Sequence, residues 1–141
     1  ELWTSSKVIL PQMGRQPSAV PIRGESYVPF NCNVFVPDSS IPESLEYFAA
    51  LINSRLLGDW FQQHAKHRGV GLDVSVRVLS ETPVRRIRFE RAEERCLHDL
   101  IVDTVCEIMR LKIDQGPDFQ CDQLEEMMDA SIEELYADSL P

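Results

Sequence analysis

The feature that most constrains the fold is a long apolar segment with helical periodicity in the first half of the chain. Its apolar side chains recur every three or four residues, which places them on one side of a helix: Leu45, Phe48, Ala49, Ile52, Leu56 and Trp60, widened by Leu51, Leu57 and Phe61. Ser40 and Glu43 match a capping box, and Pro42 is tolerated in the first turn. Gly71 and Gly69 favour an end near Gly69. We therefore expect one long helix that is central and largely buried.

The segments on either side of this helix predict short strands. Residues 7–10 and 33–36 are runs of mainly β-prone residues, and each run is followed by a proline. The valines of residues 74–78 alternate with other side chains, and a further extended run covers 84–89. The fold class that we predict is therefore α+β, with a small mixed β-sheet of short strands packed on the long central helix.

The rest of the chain predicts helices. A second long helix is expected over 90–112, because apolar residues again fall at helical spacing: Leu97, Leu100, Ile101, Val105, Ile108 and Leu111. Two short acidic helices are expected over 121–137, the second of them capped by Ser131. We thus divide the chain into an α+β domain, residues 1–89, and a C-terminal helical extension, residues 90–141.

The net charge of −9 is divided unequally between these two parts. Residues 1–89 contain ten basic and eight acidic side chains and carry a net charge of +2. Residues 90–141 contain four basic and fifteen acidic side chains and carry −11. A strongly acidic protein disfavours nucleic acid as a partner, but this argument does not apply to the first part. Any DNA-binding surface should therefore lie within residues 1–89.

The same sequence indicates the broad class of the protein. No apolar run approaches the roughly 20 residues that span a bilayer, so we expect no membrane partner. The chain begins at Glu1 with neither an initiator methionine nor a basic leader, which predicts a fragment of a larger protein. Its four cysteines show neither C-x-x-C pairs nor zinc spacing, and predict reduced thiols in a cytoplasmic protein.

The motifs of two relevant catalytic chemistries are missing. An adenine methyltransferase needs Asn or Asp followed by Pro-Pro and an aromatic residue, and no asparagine of this chain precedes proline. A common type of restriction nuclease holds Mg²⁺ with Glu-x-Lys, but Ser5, His64 and Arg110 stand two residues before the three lysines. We therefore predict that this chain has no catalytic residues, no cofactor and no enzymatic activity of its own.

Two histidines are candidates for a metal site. His64 and His67 are three residues apart at a helix end, which is compatible with the start of a metal site, a solvated basic turn or a phosphate contact. No cysteine or carboxylate stands at a convincing spacing to complete a metal site, so we predict no bound metal. His98 lies near an apolar helical face and is interpreted as a structural histidine.

Three segments combine side chains that can bind nucleic acid. Glutamine pairs bidentately with adenine, arginine or lysine with guanine, and cations bind phosphate. The segments are residues 62–71, 12–18 and 85–88. An exposed polar helix end is the alternative interpretation of the first, and pairing with nearby acids is the alternative for the third. The candidate DNA-binding residues are Arg15, Gln16, Gln63, Lys66, His67, Arg68, Arg85, Arg86 and Arg88.

The order of these elements resembles a known family. Residues 43–56, Glu-Ser-Leu-Glu-Tyr-Phe-Ala-Ala-Leu-Ile-Asn-Ser-Arg-Leu, are similar to the "Ser-Leu … Leu-Leu-Asn-Ser-Arg/Lys-Leu" helix of TaqI-like C-terminal specificity domains. Residues 78–84 resemble that family's "Leu … Ile-Pro-Ile" exit, residues 100–111 its "Leu-Val-Asp … Ile-Leu-x-Leu" helix, and residues 132–136 its "Ile-Asp … Leu-Tyr" end. Such domains occur in N6-adenine DNA methyltransferases and type IIG restriction–modification enzymes, and related helices occur in type I specificity subunits.

The resemblance implies a division of labour. A catalytic domain upstream would bind S-adenosylmethionine and methylate adenine, and the parent would be a site-specific DNA adenine-N6 methyltransferase, with or without endonuclease activity. Residues 1–89 would be the target-recognition domain that reads double-stranded DNA. Asn53 and Ser54 are expected to bond inside the fold, at the helix–sheet junction, rather than to bases.

Two other functions stay open. The apolar helix over 90–112 and the acidic helices behind it are also typical of a protein-interaction or assembly module, which would form a homodimer through 90–112 or contact the upstream methyltransferase domain. A free-standing enzyme is the third hypothesis.

Overall fold

The computed structural model describes residues 3–139, so the expectation drawn from Glu1 lies outside the described residues. The chain forms two compact units, unit 1 (Glu1–Val84) and unit 2 (Arg85–Pro141). Unit 1 combines strands with helices and unit 2 is helical, so the predicted α+β class is confirmed. The boundary between the units precedes the end of the predicted first domain by five residues.

Unit 1 contains two small antiparallel sheets in its described residues. Their strands are β1 (Lys7–Pro11), β2 (Met13–Gly14), β3 (Val20–Ile22), β4 (Cys32–Phe35), β5 (Lys66–Arg68) and β6 (Gly71–Asp73). Sheet 1 has the order β3-β1-β4 and sheet 2 has the order β2-β6-β5. The strands predicted over 7–10 and 33–36 are thus confirmed as β1 and β4, which pair with each other in sheet 1. Unit 1 has two antiparallel sheets where one mixed sheet was predicted.

The predicted long helix is interrupted at Ser54. It is divided into α1 (Leu45–Asn53) and α2 (Arg55–His64), because Ser54 adopts an extended conformation with φ −67° and ψ 152°. Its hydroxyl donates to Leu51 O at 2.7 Å and accepts from Leu57 N at 3.2 Å, so one side chain bonds both helices. Ser54 is buried, as the resemblance led us to expect.

The predicted cap at Ser40 is wrong. The backbone N–H of Ser40 donates to the Asp38 carboxylate at 2.9 Å, which places this stretch in a turn, and α1 begins at Leu45. The buried face of α1 packs on sheet 1, where Phe48 meets Phe35 edge-on with ring centroids 5.2 Å apart. The prediction of a buried central helix is therefore confirmed for α1.

The strands predicted over 74–78 and 84–89 are not formed. Ser75 accepts a hydrogen bond from Val78 N at 3.3 Å and caps the short helix α3 (Val76–Ser80), so capping overrides the period-two pattern of the valines. The residues of 84–89 have no regular secondary structure.

Unit 2 is a pair of packed helices, α4 (Ala92–Gln115) and α5 (Asp122–Ala137). Gly116, at φ +109°, ends α4 close to the predicted position. Instead of two short acidic helices there is one, and Ser131 lies inside α5 with its hydroxyl bonded to Met127 O. Buried apolar residues line the interior of the pair: Ile101, Val105, Met128, Ile132 and Leu135. None of the helices in residues 3–139 combines the length and apolar character needed to cross a bilayer.

Candidate nucleic-acid interface

Sheet 2 brings two segments together that are about fifty residues apart in the sequence. Its middle strand β6 pairs on one side with β2, where Gly14 is opposite Leu72, and on the other with β5, where Arg68 is opposite Gly71. Both pairings are antiparallel, so the loop that follows β2 emerges at the same end of the sheet as the β5–β6 turn. Residues 15–16 and 68–71 are therefore neighbours in space.

The helix that was expected to end near Gly69 ends at His64, and the rest of the predicted segment 62–71 belongs to a β-hairpin. Its register leaves Gly69 and Val70 as a two-residue turn, with Gly69 at φ +61°, as a type II′ turn requires of its first central residue. Gly71 serves a different purpose, because a Cβ atom there would lie 3.0 Å from the carbonyl oxygen of Gly14. The glycines of this segment thus set the turn and allow the close approach of β2.

Strand alternation decides which hairpin side chains point outward. Leu72 is buried, so its partner His67 shares the inward side of the sheet, whereas Lys66 and Arg68 lie on the outward side with Asp73. All three residues of β5 are nonetheless exposed, because β5 is an edge strand. Two cations therefore stand next to each other on a solvated face.

Gln62 connects the two segments, which the sequence did not reveal. Its side-chain amide donates to Arg15 O at 3.4 Å, and its own carbonyl oxygen lies 2.8 Å from Nε2 of His67. Nδ1 of His64 is 2.7 Å from Trp60 O, and the His64 ring stacks on the Trp60 ring with centroids 4.1 Å apart. Since a carbonyl can only accept, these two histidine nitrogens carry their protons and donate. In the described part of the chain no three His, Cys, Asp or Glu side chains converge to hold a metal ion.

The cations of this surface differ in their pairing. Nε of Arg68 contacts the Asp73 carboxylate at 2.8 Å, and the Arg68 side chain stays 63% exposed. Among residues 3–139, neither the Arg15 guanidinium nor the Lys66 ammonium forms an ion pair. Unit 1 as a whole has seven basic and eight acidic side chains and a net charge of −1, so its attraction for polyanions is local to this surface.

The third predicted cluster has a different environment. The guanidinium of Arg85 donates to Glu94 at 3.0 Å and to Leu135 O at 3.1 Å, and its side chain is only 11% exposed. Arg88 donates to the same carboxylate from its side chain at 2.6 Å and from its backbone at 2.8 Å. For Arg85 and Arg88 the structure therefore shows the alternative interpretation, pairing with acids. Arg86 is exposed beside them.

The carboxyl of Glu94 is held in its charged form. Burial by itself raises its pKa, but hydrogen bonds from Arg88 and Arg85 outweigh burial and lower the pKa to about 2. The hydrogen bond between Arg88 and Glu94 also raises the pKa of Arg88. This cluster fastens residues 85–88 to α4 and α5, since the Tyr136 hydroxyl also accepts from Arg85 N at 3.1 Å.

Two residues highlighted by the resemblance are structural. The side-chain amide of Asn53 accepts from Ala19 N at 2.6 Å and donates to Ala19 O at 2.8 Å, which joins α1 to the segment before β3. Both residues make the expected hydrogen bonds to the backbone of the chain, with Ser54 buried and Asn53 on the exposed side of α1. His98 is likewise buried, with its ring edge-on to Phe89 at 5.0 Å.

No known protein-family model matches this chain, and no curated protein matches it with significance.

Proposed function

We propose that unit 1 recognises double-stranded DNA through a hairpin surface, defined as Arg15, Gln16, Gln63, Lys66, His67 and Arg68. The observation that carries the proposal is the pairing of β2 and β5 with the same strand, which gathers two remote polar segments at one sheet. The surface is exposed and presents cations together with amides, the groups that bind phosphates and base edges.

The roles within this surface follow from chemistry and exposure. Lys66 and Arg68, on the outward side of the edge strand, contact phosphates and fix the register of the domain on the duplex. Arg15, Gln16, Gln63 and His67 are the candidates for base edges. Arg85 and Arg88 are left out of the contact set because their guanidinium groups already bind Glu94.

The resemblance supports a wider proposal about the parent protein. This chain would be the target-recognition part of a cytoplasmic restriction–modification enzyme whose upstream domain uses S-adenosylmethionine to methylate adenine. The chain itself would carry no catalytic centre. With so few unpaired cations, its binding to duplex DNA should be weak and strongly dependent on salt.

Fluorescence anisotropy of a labelled duplex, measured over a range of salt concentrations, tests this function. The double variant Lys66→Ala/Arg68→Ala should bind about ten-fold more weakly at low salt, and the slope of log K against log salt should fall by about 2. Arg77→Ala is the matched control, because Arg77 is an exposed arginine of α3 that pairs with Glu81. Equal affinity and slope for the double variant and the wild type would disprove the assigned role of β5.

Assembly through unit 2 is the second candidate function, and one observation favours it. Leu100 and Ile113 of α4 are exposed, because a two-helix unit has little interior in which to bury apolar side chains. Exposed apolar surface of this kind is typical of a protein–protein interface. Sedimentation velocity over a range of concentrations should then show a dimer that Leu100→Glu or Ile113→Glu dissociates. A monomer at all concentrations would remove this candidate.

A further inference from the structure

The loop between β3 and β4 presents aromatic rings to solvent. Phe30 is 99% exposed and Tyr27 is 92% exposed, and Trp3 packs against Tyr27 with ring centroids 5.7 Å apart. Large aromatic side chains are normally among the best-buried residues, since each ring adds a large apolar area to the surface. Two nearly fully exposed rings within four residues are a feature that the packing of unit 1 does not require.

The backbone that carries these rings is tied down at several points. Ser26 N donates to Trp3 O at 3.0 Å, Cys32 N donates to Pro29 O at 3.1 Å, and Gln12 N donates to Asn31 O at 2.9 Å. These bonds hold the backbone of the loop in place before any partner arrives, so little backbone entropy is lost on binding. The rings are therefore presented on a defined backbone rather than on a loose tether.

The position of the loop connects it with the hairpin surface. Asn31, the neighbour of Phe30, bonds Gln12, and Gln12 O in turn accepts from Val74 N at 2.8 Å. These contacts place Phe30 beside the end of sheet 2 at which Met13, Asp73 and Lys66 stand opposite one another. Of the hairpin surface, Lys66 is at this end of the sheet, and two strand spacings of about 4.8 Å separate β5 from β2, so Lys66 and Phe30 are within reach of one duplex.

The charged side chains of the loop add no attraction for a polyanion. Its basic side chain, Arg23, binds the buried Glu46 carboxylate through two nitrogens at 2.8 and 3.1 Å, and its acidic side chain is Glu25. The attraction for phosphate therefore comes from Lys66 and Arg68 of the hairpin surface, and the contribution of the rings is stacking.

We propose that Phe30 and Tyr27 stack on bases of the DNA that the hairpin surface holds. The inference rests on the proposed DNA recognition and adds a second mode of contact to it. Every base has a π-face, and stacking on an aromatic side chain is worth enough to change affinity measurably without reading a hydrogen-bond pattern. The base can be supplied by a partly opened step of the duplex or by an unpaired base.

Three substitutions at one position test the stacking. Phe30→Ala should weaken binding of the chain to a short duplex by about 5- to 100-fold, Phe30→Trp should retain the wild-type affinity, and Phe30→Leu should resemble Phe30→Ala. Phe30 is fully exposed, so these variants should fold, which circular dichroism checks. Val76→Ala, which shortens an exposed apolar side chain of α3, is the control.

A second probe, the same duplex with a one-nucleotide gap, distinguishes the two sources of the base. A loss for Phe30→Ala that is larger on the gapped duplex assigns the contact to an unpaired base, and equal losses assign it to an opened step. Unchanged affinity of Phe30→Ala for both probes, while Lys66→Ala/Arg68→Ala binds more weakly, overturns the stacking but leaves DNA recognition intact. Loss of self-association in Phe30→Ala without any change in DNA affinity also overturns it and assigns the rings to a protein interface. Absence of wild-type binding to either probe at low salt overturns both proposals.

Discussion

The arginines of the two units have opposite environments although they look alike in the sequence. Arg68 of unit 1 lies on an edge strand, is 63% exposed and contacts one carboxylate, Asp73. Arg85 of unit 2 is 11% exposed and bonds the buried Glu94 together with a backbone carbonyl. The first guanidinium can reorient towards a partner at small cost, whereas moving the second would leave a buried charge without its partner.

This difference teaches that a cluster of cations becomes a binding surface only where their charges are not consumed by the fold. The segment around Arg85 and Arg88 has the higher density of arginine, and yet its charge serves to anchor the chain to α4 and α5. The hairpin has fewer cations, but they are solvated. The stability of unit 2 should therefore depend on the ionic contacts of Glu94, whereas the exposed cations of the hairpin should contribute little to the stability of unit 1.

The largest expected effect is on Glu94 in unit 2. Replacing Glu94 with Gln removes the charge that two arginines share in a buried place, and should lower the free energy of unfolding by about 3 kcal/mol, as measured by urea denaturation at pH 7. Glu93→Gln removes the same charge from an exposed neighbouring position of α4 and should change stability little. A stability for Glu94→Gln equal to that of Glu93→Gln would contradict the assigned anchor.

The pH dependence gives an independent check on the same carboxyl. Its folded-state pKa of about 2 lies below the ordinary value of 4.5, so its stabilising contribution is complete above pH 4.5 and is lost as the pH falls towards 2. The gap between the unfolding free energies of the wild type and Glu94→Gln should therefore shrink over this interval. A gap that stays constant between pH 5 and pH 2.5 would count against the shifted pKa.

The contact between Asn53 and Ala19 sharpens the comparison from the side of unit 1. Asn53→Ala removes two hydrogen bonds from the backbone groups of the buried Ala19 and should cost about 2 kcal/mol. Because an amide does not titrate, this cost should be the same at pH 7 and pH 4. Gln63→Ala, an exposed amide of α2, is the control in the same denaturation experiment. A loss of stability in Asn53→Ala no greater than that in the control would refute the stabilising role of the Asn53–Ala19 hydrogen bonds.

A smaller effect is expected at the crossing of β2 and β6. Gly71→Ala places a Cβ atom 3.0 Å from the Gly14 carbonyl oxygen, so the backbone of β2 must shift by a few tenths of an ångström. This shift should cost about 1.5 kcal/mol and weaken duplex binding, because Arg15 follows Gly14 in the chain. Gly58→Ala in α2 meets no atom within 4 Å and should instead gain up to about 1 kcal/mol with unchanged DNA affinity. Equal stability and equal DNA affinity of the Gly71→Ala and Gly58→Ala variants would contradict the role assigned to the close approach of β2 and β6.

The sequence predicted the elements whose pattern is long and regular. α4 and the buried face of α1 follow from helical spacing of apolar residues, and β1 from a β-prone run ended by proline. Short signals were less informative, because serine can cap, end or lie within a helix. Ser75 caps a helix that the pattern did not reveal, and Ser54 marks a break in a helix that was predicted to be continuous. Ser131, which matched a capping box, lies inside α5.

The candidate site was predictable as residues but not as a surface. Arg15, Gln63 and Lys66 could be chosen by side-chain chemistry, since their types are those that bind DNA. Their convergence depends on which strands pair across about fifty residues, and the two-residue strand β2 has no periodicity from which to infer a partner. Arg85 does not belong to the candidate surface because it pairs with the buried Glu94, and the burial of Glu94 could not be predicted from the sequence.

Hydrogen–deuterium exchange of the whole chain, with and without saturating duplex DNA at low salt, tests whether the hairpin surface binds DNA. We expect added protection of backbone amides in residues 13–16 and 62–71, with exchange unchanged in α4 and α5. Protection confined to α4 and α5, with none in the hairpin surface, would contradict it.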